Sequence, residues 1–181
     1  MIYQLITKQI FQKKRKFNLN NGQIKKCSEV LFDSDKDNWN QYSSVFDTKI
    51  MNKSKLSIIV EDTNNNKFGY YYTGTVTSDY LNRQKKSNGC FIFSLKSNGR
   101  LNGMMKFEET SWCSGLCVYD KSDTILFQAC CNALRIYKEN SKGNSHCQNY
   151  DCCCDFHGIS SALRGTKDNF SPKRITVIQM K

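Results

Sequence analysis

Proline is almost missing from this sequence: Pro172 is the only one in 181 residues, and there are ten glycines. So little of either excludes a collagen-like repeat or a Pro- or Gly-rich linker. Histidine is scarcer than cysteine, two against ten, so His146 and His157 are the whole supply of imidazole. No apolar run approaches the ~20 residues that a membrane-spanning helix needs. Residues 1–11 are broken by Gln4, Thr7, Lys8 and Gln9, which leaves no apolar heart for a secretory signal. The expected location is therefore cytoplasmic, and a reducing compartment disfavours structural disulfides. The ten cysteines are accordingly expected as small, inert, semi-buried thiols.

Acidic residues are also missing before Glu29, where seven basic ones stand: Lys8, Lys13, Lys14, Arg15, Lys16, Lys25 and Lys26. The net charge is +11, and everything after this stretch holds 20 basic against 16 acidic residues, a net of +4. Residues 1–27 thus read as a basic arm. Ile2, Ile6 and Ile10 share one side at four-residue spacing, and the turn-formers of residues 18–22 separate the arm from the first apolar strand. The fold is expected not to depend on it. Residues 13–16 could make weak, salt-sensitive, non-specific contact with nucleic acid or anionic lipid. If the fold does depend on the arm, Ile2, Ile6, Ile10 and Phe17 become core residues.

What is present is enough apolar material for one core: 39% hydrophobic and 12% aromatic residues spread along the chain. Val30, Leu31 and Phe32 form a short strand that stops at the carboxylates Asp33, Asp35 and Asp37. Trp39, Tyr42, Phe46 and Ile50 then recur at helical spacing and predict a helix over residues 38–51. From there the signals are those of strands. Residues 56–60 are β-branched, 62–66 polar and 67–75 aromatic, which reads as a hairpin. Asn-Gly turns at 88–89 and 98–99 bracket strands over 90–95 and 100–107. Further short strands are expected over 116–119, 124–129 and 133–137. In the closing strand over 174–180, Ile175, Val177 and Gln179 face one way and Thr176, Ile178 and Met180 the other. Many short strands with few helices predict an α+β, mainly β fold: a two-sheet antiparallel β-sandwich with flanking helices, in which residues 30–32 and 174–180 are both central.

The order of these pieces resembles the TLDc family. Residues 30–37 are similar to that family's first strand and its Ser/Asp-rich turn. Phe68, Gly69, Tyr70 and Tyr71 stand where it carries an aromatic-Gly-Gly-aromatic strand, and residues 91–95 match its Phe-Ser-Leu strand. Gly165, Phe170 and residues 174–179 fit its closing segment. The likeness spans residues 28–181, a TLDc-like domain of divergent protist type, and omits the arm. Tyr70 departs from the family's second glycine, and residues 88–90 depart from its Asp-Pro turn. The resemblance implies a non-catalytic protein-interaction domain, linked to oxidation resistance, whose relatives bind vacuolar proton-pumping ATPase subunits.

Several constellations compete with that reading, and none is expected to form a catalytic, cofactor or metal site. Cys147, Cys152, Cys154 and His157 offer four zinc ligands, but the spacing has no paired Cys-x-x-Cys knuckle. Alternation would send Cys152 and Cys154 to one face and Cys153 to the other. A zinc- or polyanion-binding module using this cluster and the arm is the alternative function. A thiol nucleophile paired with His146 or His157 lacks any local signature. Cys113 with Cys117, Cys130 with Cys131, and residues 152–154 are candidates for oxidation. Asp33, Asp35 and Asp37 alternate like calcium ligands, but the remainder of a calcium loop is missing, so they read as a capped turn. Trp39, Tyr42 and Phe46, and the run Tyr70 to Tyr72, read as core faces before partner surfaces.

Overall fold

The computed structural model describes residues 29–110, 115–148, 153–160, 162–164 and 169–180. The basic arm, Cys113, Cys152 and Gly165 lie outside them. The described strands form two antiparallel sheets. The larger contains β1 (Glu29–Asp33), β2 (Ser54–Asp62), β3 (Lys67–Thr75), β4 (Phe91–Lys96), β5 (Met105–Glu108) and β11 (Pro172–Gln179), in the order β1-β11-β2-β3-β4-β5. The smaller contains β6 (Leu116–Val118), β7 (Ile125–Ala129), β8 (Leu134–Tyr137), β9 (Ser145–Cys147) and β10 (Asn169–Phe170), in the order β10-β9-β8-β7-β6. The expected sandwich is therefore present.

Alternation decides which side chains enter it. Leu56, Ile58 and Val60 of β2, Phe68, Tyr70 and Tyr72 of β3, and Ile175 and Val177 of β11 belong to one buried core. It also holds Leu116, Val118, Phe127, Ala129, Leu134 and Ile136 of the smaller sheet. The expectation for residues 174–180 holds: Ile178 and Met180 are buried on the opposite face of the larger sheet. Gly69 explains one close approach. A Cβ there would stand 1.9 Å from the Ile58 carbonyl oxygen and 2.9 Å from Phe93 Cζ, so only glycine lets β2 pair while the Phe93 ring lies over β3.

Four expectations need correction. Among the described residues, 30–32 are not central: β1 is an edge strand there, paired with β11 through a bulge between Val30 and Phe32. The predicted helix over 38–51 shrinks to α1 (Phe46–Ile50). Local polar groups compete for its backbone. Asn38 Oδ1 accepts the Asn40 N–H at 2.9 Å, and Tyr42 adopts a left-handed φ of 71° with its side chain exposed. Trp39, Phe46 and Ile50 still reach the core. Phe46 meets Phe32 edge-on at 5.0 Å and stacks on Phe127 at 5.6 Å between ring centroids. The strand expected over 100–107 is confined to β5, because Ser97 Oγ accepts the Leu101 N–H and holds a turn there. Strands β9 and β10 stand where no strand is expected.

The long return from β9 to β11 is tied down by a buried ion pair. Asp62, at the end of β2, accepts the Asn66 N–H at 2.8 Å, Asn66 Nδ2 at 2.9 Å and Arg164 Nε at 2.7 Å. The Asp62 side chain is fully buried and that of Arg164 is 7% exposed. The same guanidinium donates to the Asn169 carbonyl oxygen and lies 4.7 Å over the Phe170 ring.

Candidate functional site

The outward face of the smaller sheet carries a polar row that crosses all five strands. Register places Cys117 of β6 opposite Gln128 of β7, Gln128 opposite Arg135 of β8, Arg135 opposite His146 of β9, and His146 opposite Asn169 of β10. Cys117, Gln128 and Arg135 each stand between two apolar neighbours that face the core. Arg135 Nη2 donates to Gln128 Oε1 at 3.0 Å and to Asn132 Oδ1 at 2.6 Å, and the Tyr119 hydroxyl donates to Gln128 Oε1 at 3.1 Å. Burial raises the Cys117 thiol's pKa against the lowering effects of its Tyr119 hydrogen bond and of Arg135, so it stays protonated at neutral pH. Tyr119 is pushed up to about 12, first by burial and then by the neighbouring Cys117.

This row bears on one Cys–His pairing. Cys117 and His146 share it but stand three strand positions apart, roughly 14 Å at the usual strand spacing. Proton transfer needs hydrogen-bond reach. Cys147 follows His146 directly, yet strand alternation turns it into the core. His157 is half exposed and pairs with Asp155, Nδ1 to Oδ2 at 3.2 Å, with its ring beside Phe107.

Three further cysteines, Cys130, Cys153 and Cys154, come together. Residues 153–155 run along β5: the Thr110 N–H donates to the Cys153 carbonyl, the Asp155 N–H donates to the Glu108 carbonyl, and Cys154 bridges Glu109. From the opposite sheet the β7–β8 turn brings Cys130 to the same place. Cys130 and Cys154 form a disulfide across 24 residues of sequence, with Cα atoms 7.1 Å apart. This corrects the expectation of thiols throughout. The turn that delivers Cys130 is unusual, since Cys130, Cys131 and Asn132 all have left-handed φ, at 49°, 52° and 70°. Such residues cost ~1 kcal/mol or more each and persist where packing over-determines them. Cys153 and Cys154 are both buried, and Cys152, the third residue of the expected alternation, lies outside the described residues. Beside them the Tyr70 hydroxyl donates to Glu109 Oε1 at 2.6 Å. Burial raises the Tyr70 pKa well above the usual phenol value, and the neighbouring Cys90 and Glu109 raise it further.

Of the four zinc candidates, Cys147, Cys154 and His157 are among the described residues. Cys154 is bonded to Cys130, His157 is held by Asp155, and Cys152 lies outside the described residues. Among the described residues no group of three or more potential ligands could hold a metal ion. The Asp33–Asp37 carboxylates close a turn. Asp33 accepts Arg174 Nε and Nη2 at 3.0 and 2.6 Å, Asp35 pairs with Arg174, and Asp37 Oδ2 accepts the Asp33 N–H and pairs with Lys49. The Arg174 guanidinium lowers the Asp33 pKa despite burial. Near Arg174, a groove of about 100 Å³ lies between Ile59, Leu95 and Ile178. That is well under the ~300 Å³ at which small-molecule pockets begin.

Composition alone did not reveal the polar row or the Cys130–Cys154 pair. The one available signal was a lone polar residue at the centre of each apolar triplet: Cys117, Gln128, Arg135. No family model matches the chain, and no curated protein matches it significantly. Among the described residues no helix is long and apolar enough to cross a membrane.

Proposed function

We propose that the chain is a TLDc-like, non-catalytic interaction domain of the cytoplasm, linked to oxidative-stress resistance or to binding of vacuolar proton-pumping ATPase subunits. One observation supports this reading most. Residues 30–33, 68–71, 91–95 and 174–179, four of the segments that carry the TLDc likeness, belong to one six-stranded sheet, with β2 between β11 and β3, although they come from distant parts of the chain. The three-strand separation of Cys117 from His146 is a second support. The arm adds weak, non-specific polyanion contact through Lys13, Lys14, Arg15 and Lys16, falling steeply with salt.

The test is direct binding. The full 181-residue chain is mixed with the purified peripheral sector of a vacuolar proton-pumping ATPase and resolved by size exclusion. Co-elution that persists at 150 mM salt supports pump binding. Co-elution only at low salt reduces the interaction to the arm's charge, and separate elution at both salts removes the pump as partner.

A further inference from the structure

The β7–β8 turn is held from two sides. Cys130, Cys131 and Asn132 all take left-handed φ, with no glycine among them. On one side Cys130 is bonded to Cys154, whose segment is fixed along β5 by the Thr110-to-Cys153 and Asp155-to-Glu108 backbone hydrogen bonds. The Cys130 N–H donates to the Gly115 carbonyl oxygen and the Cys130 carbonyl accepts the Ala133 N–H, both at 2.9 Å. On the outer face Asn132 Oδ1 accepts Arg135 Nη2 at 2.6 Å. The same nitrogen donates to Gln128 Oε1, which also accepts the Tyr119 hydroxyl. One turn therefore joins a covalent tie between β5 and the smaller sheet to the polar row outside. Asparagine visits the left-handed region readily and cysteine does not, so two of the three residues stand in a conformation their own backbones resist. Such a conformation persists only where the surroundings enforce it, and here a bond that chemistry can open is part of what enforces it.

We propose that Cys130–Cys154 is a reversible redox site, with a glutathione-type thiol as its co-substrate, and that its state sets the geometry of the polar row. To open it, a glutathione thiolate attacks one of the two sulfurs; the protein S–S bond breaks, a mixed disulfide forms, and the released cysteine thiolate takes up a proton. A second glutathione thiolate attacks the glutathione sulfur of that mixed disulfide. Oxidised glutathione leaves and the second cysteine takes up a proton. Two glutathione thiols have then given two electrons to the protein bond, and both cysteines are thiols; the reverse sequence closes the bond. Cys130 and Cys154 are buried, so the attacking thiolate enters as the turn opens through its half-buried residues Cys131 and Asn132. With the bond closed, the turn fixes Asn132 against Arg135, and Arg135 against Gln128. With it open, the turn leaves the left-handed region, Asn132 withdraws, and Arg135 loses one of its two acceptors. The inference rests on the disulfide and the turn, and it holds whatever protein the domain binds.

The test equilibrates the full chain in buffers of graded reduced and oxidised glutathione. Differential alkylation with mass spectrometry follows the bond, and NMR follows the Asn132 side-chain amide and Arg135 Nε–H. The bond should open and close reversibly across the series, and both NMR signals should move with the same midpoint. Cys154→Ala should hold them at the reduced position in every buffer. The turn itself is tested by comparing Cys131→Gly with Cys131→Ala: both lack the thiol, but only glycine accepts the left-handed φ. The bond should need a glutathione ratio roughly fivefold or more reducing to open in the glycine variant than in the alanine variant. A bond that stays closed in fully reduced glutathione would overturn the proposal. So would opening that leaves Asn132 and Arg135 unmoved, or equal midpoints in the glycine and alanine variants. Reduction that collapses signal dispersion throughout the domain would make the bond a purely structural one and overturn it equally.

Discussion

Replacing Arg164 with methionine isolates the buried ion pair that fastens the long return segment. Methionine keeps the length and apolar stem of the side chain and removes only the guanidinium. Asp62 would then keep its two Asn66 hydrogen bonds but lose the guanidinium bonded to it, while its side chain stays fully buried. Breaking a buried pair from one side costs about 3–5 kcal/mol. The surviving Asn66 contacts put Arg164→Met near the lower end, about 3 kcal/mol, and for a domain of this size that is a fall of roughly 6–12 °C in thermal midpoint. Arg164→Met/Asp62→Asn removes the stranded charge and should recover part of the loss. Urea unfolding followed by circular dichroism, run as a double-mutant cycle, should give a coupling of about 2 kcal/mol or more. An Arg164→Met protein within about 1 kcal/mol of the parent, or strictly additive substitutions, would refute the argument that the guanidinium holds this carboxylate.

Two further outcomes are expected. Asp120 is held down to about 2, below the ordinary 3.8, chiefly by hydrogen bonds from Ser122 and Asn82. Because the folded state takes up this proton less readily than the unfolded chain, its contribution is complete above about pH 4 and is lost as pH falls toward 2. Carboxyl NMR titration should find its midpoint near 2, and Asp120→Asn should flatten stability across that window; a midpoint at 3.8 would contradict the hydrogen-bonding account. Cys154→Ser should destabilise the domain by about 3–4 kcal/mol, the loop-closure value for a bridge spanning 24 residues. Iodoacetamide added after denaturation without reductant should leave Cys130 and Cys154 unmodified, and labelling of both would remove the bridge.

The strands were legible where side chains announce their own environment. The alternation of Ile175 and Val177 against Ile178 and Met180 gave both buried faces of β11, and the β2–β3 hairpin followed from its β-branched and aromatic halves. Position within a sheet was not legible. Val30 to Phe32 is as apolar as a central strand, yet β1 sits at the edge, because pairing order is set by contacts among residues far apart in sequence. The helix over 38–51 failed for a local reason, the competition of the Asn38 side chain for backbone donors, which the spacing of Trp39, Tyr42, Phe46 and Ile50 conceals. Strands β9 and β10 are three and two residues long, too short to carry a period. The polar row needed the register of five strands, and the Cys130–Cys154 contact needed the packing of two sheets. Neither is encoded in any single window.

The placement of β11 has a consequence for synthesis on the ribosome. Among the described residues β1 pairs with β11 and with no other strand, and β11 in turn pairs with β2. When residues 29–62 have left the exit tunnel, the first strand has no neighbour and β2 exposes a bare edge. Both wait while more than a hundred further residues are translated. Hairpins β2–β3 and β7–β8 can close early, since their partners are near in sequence. The larger sheet cannot close until residues 172–179 slot between two strands made long before. Contacts of such separation fold slowly and leave an unpaired edge open to other nascent chains. This places the domain's greatest exposure to misassembly in the interval before translation delivers β11, and makes that interval the time at which a chaperone would have most to do.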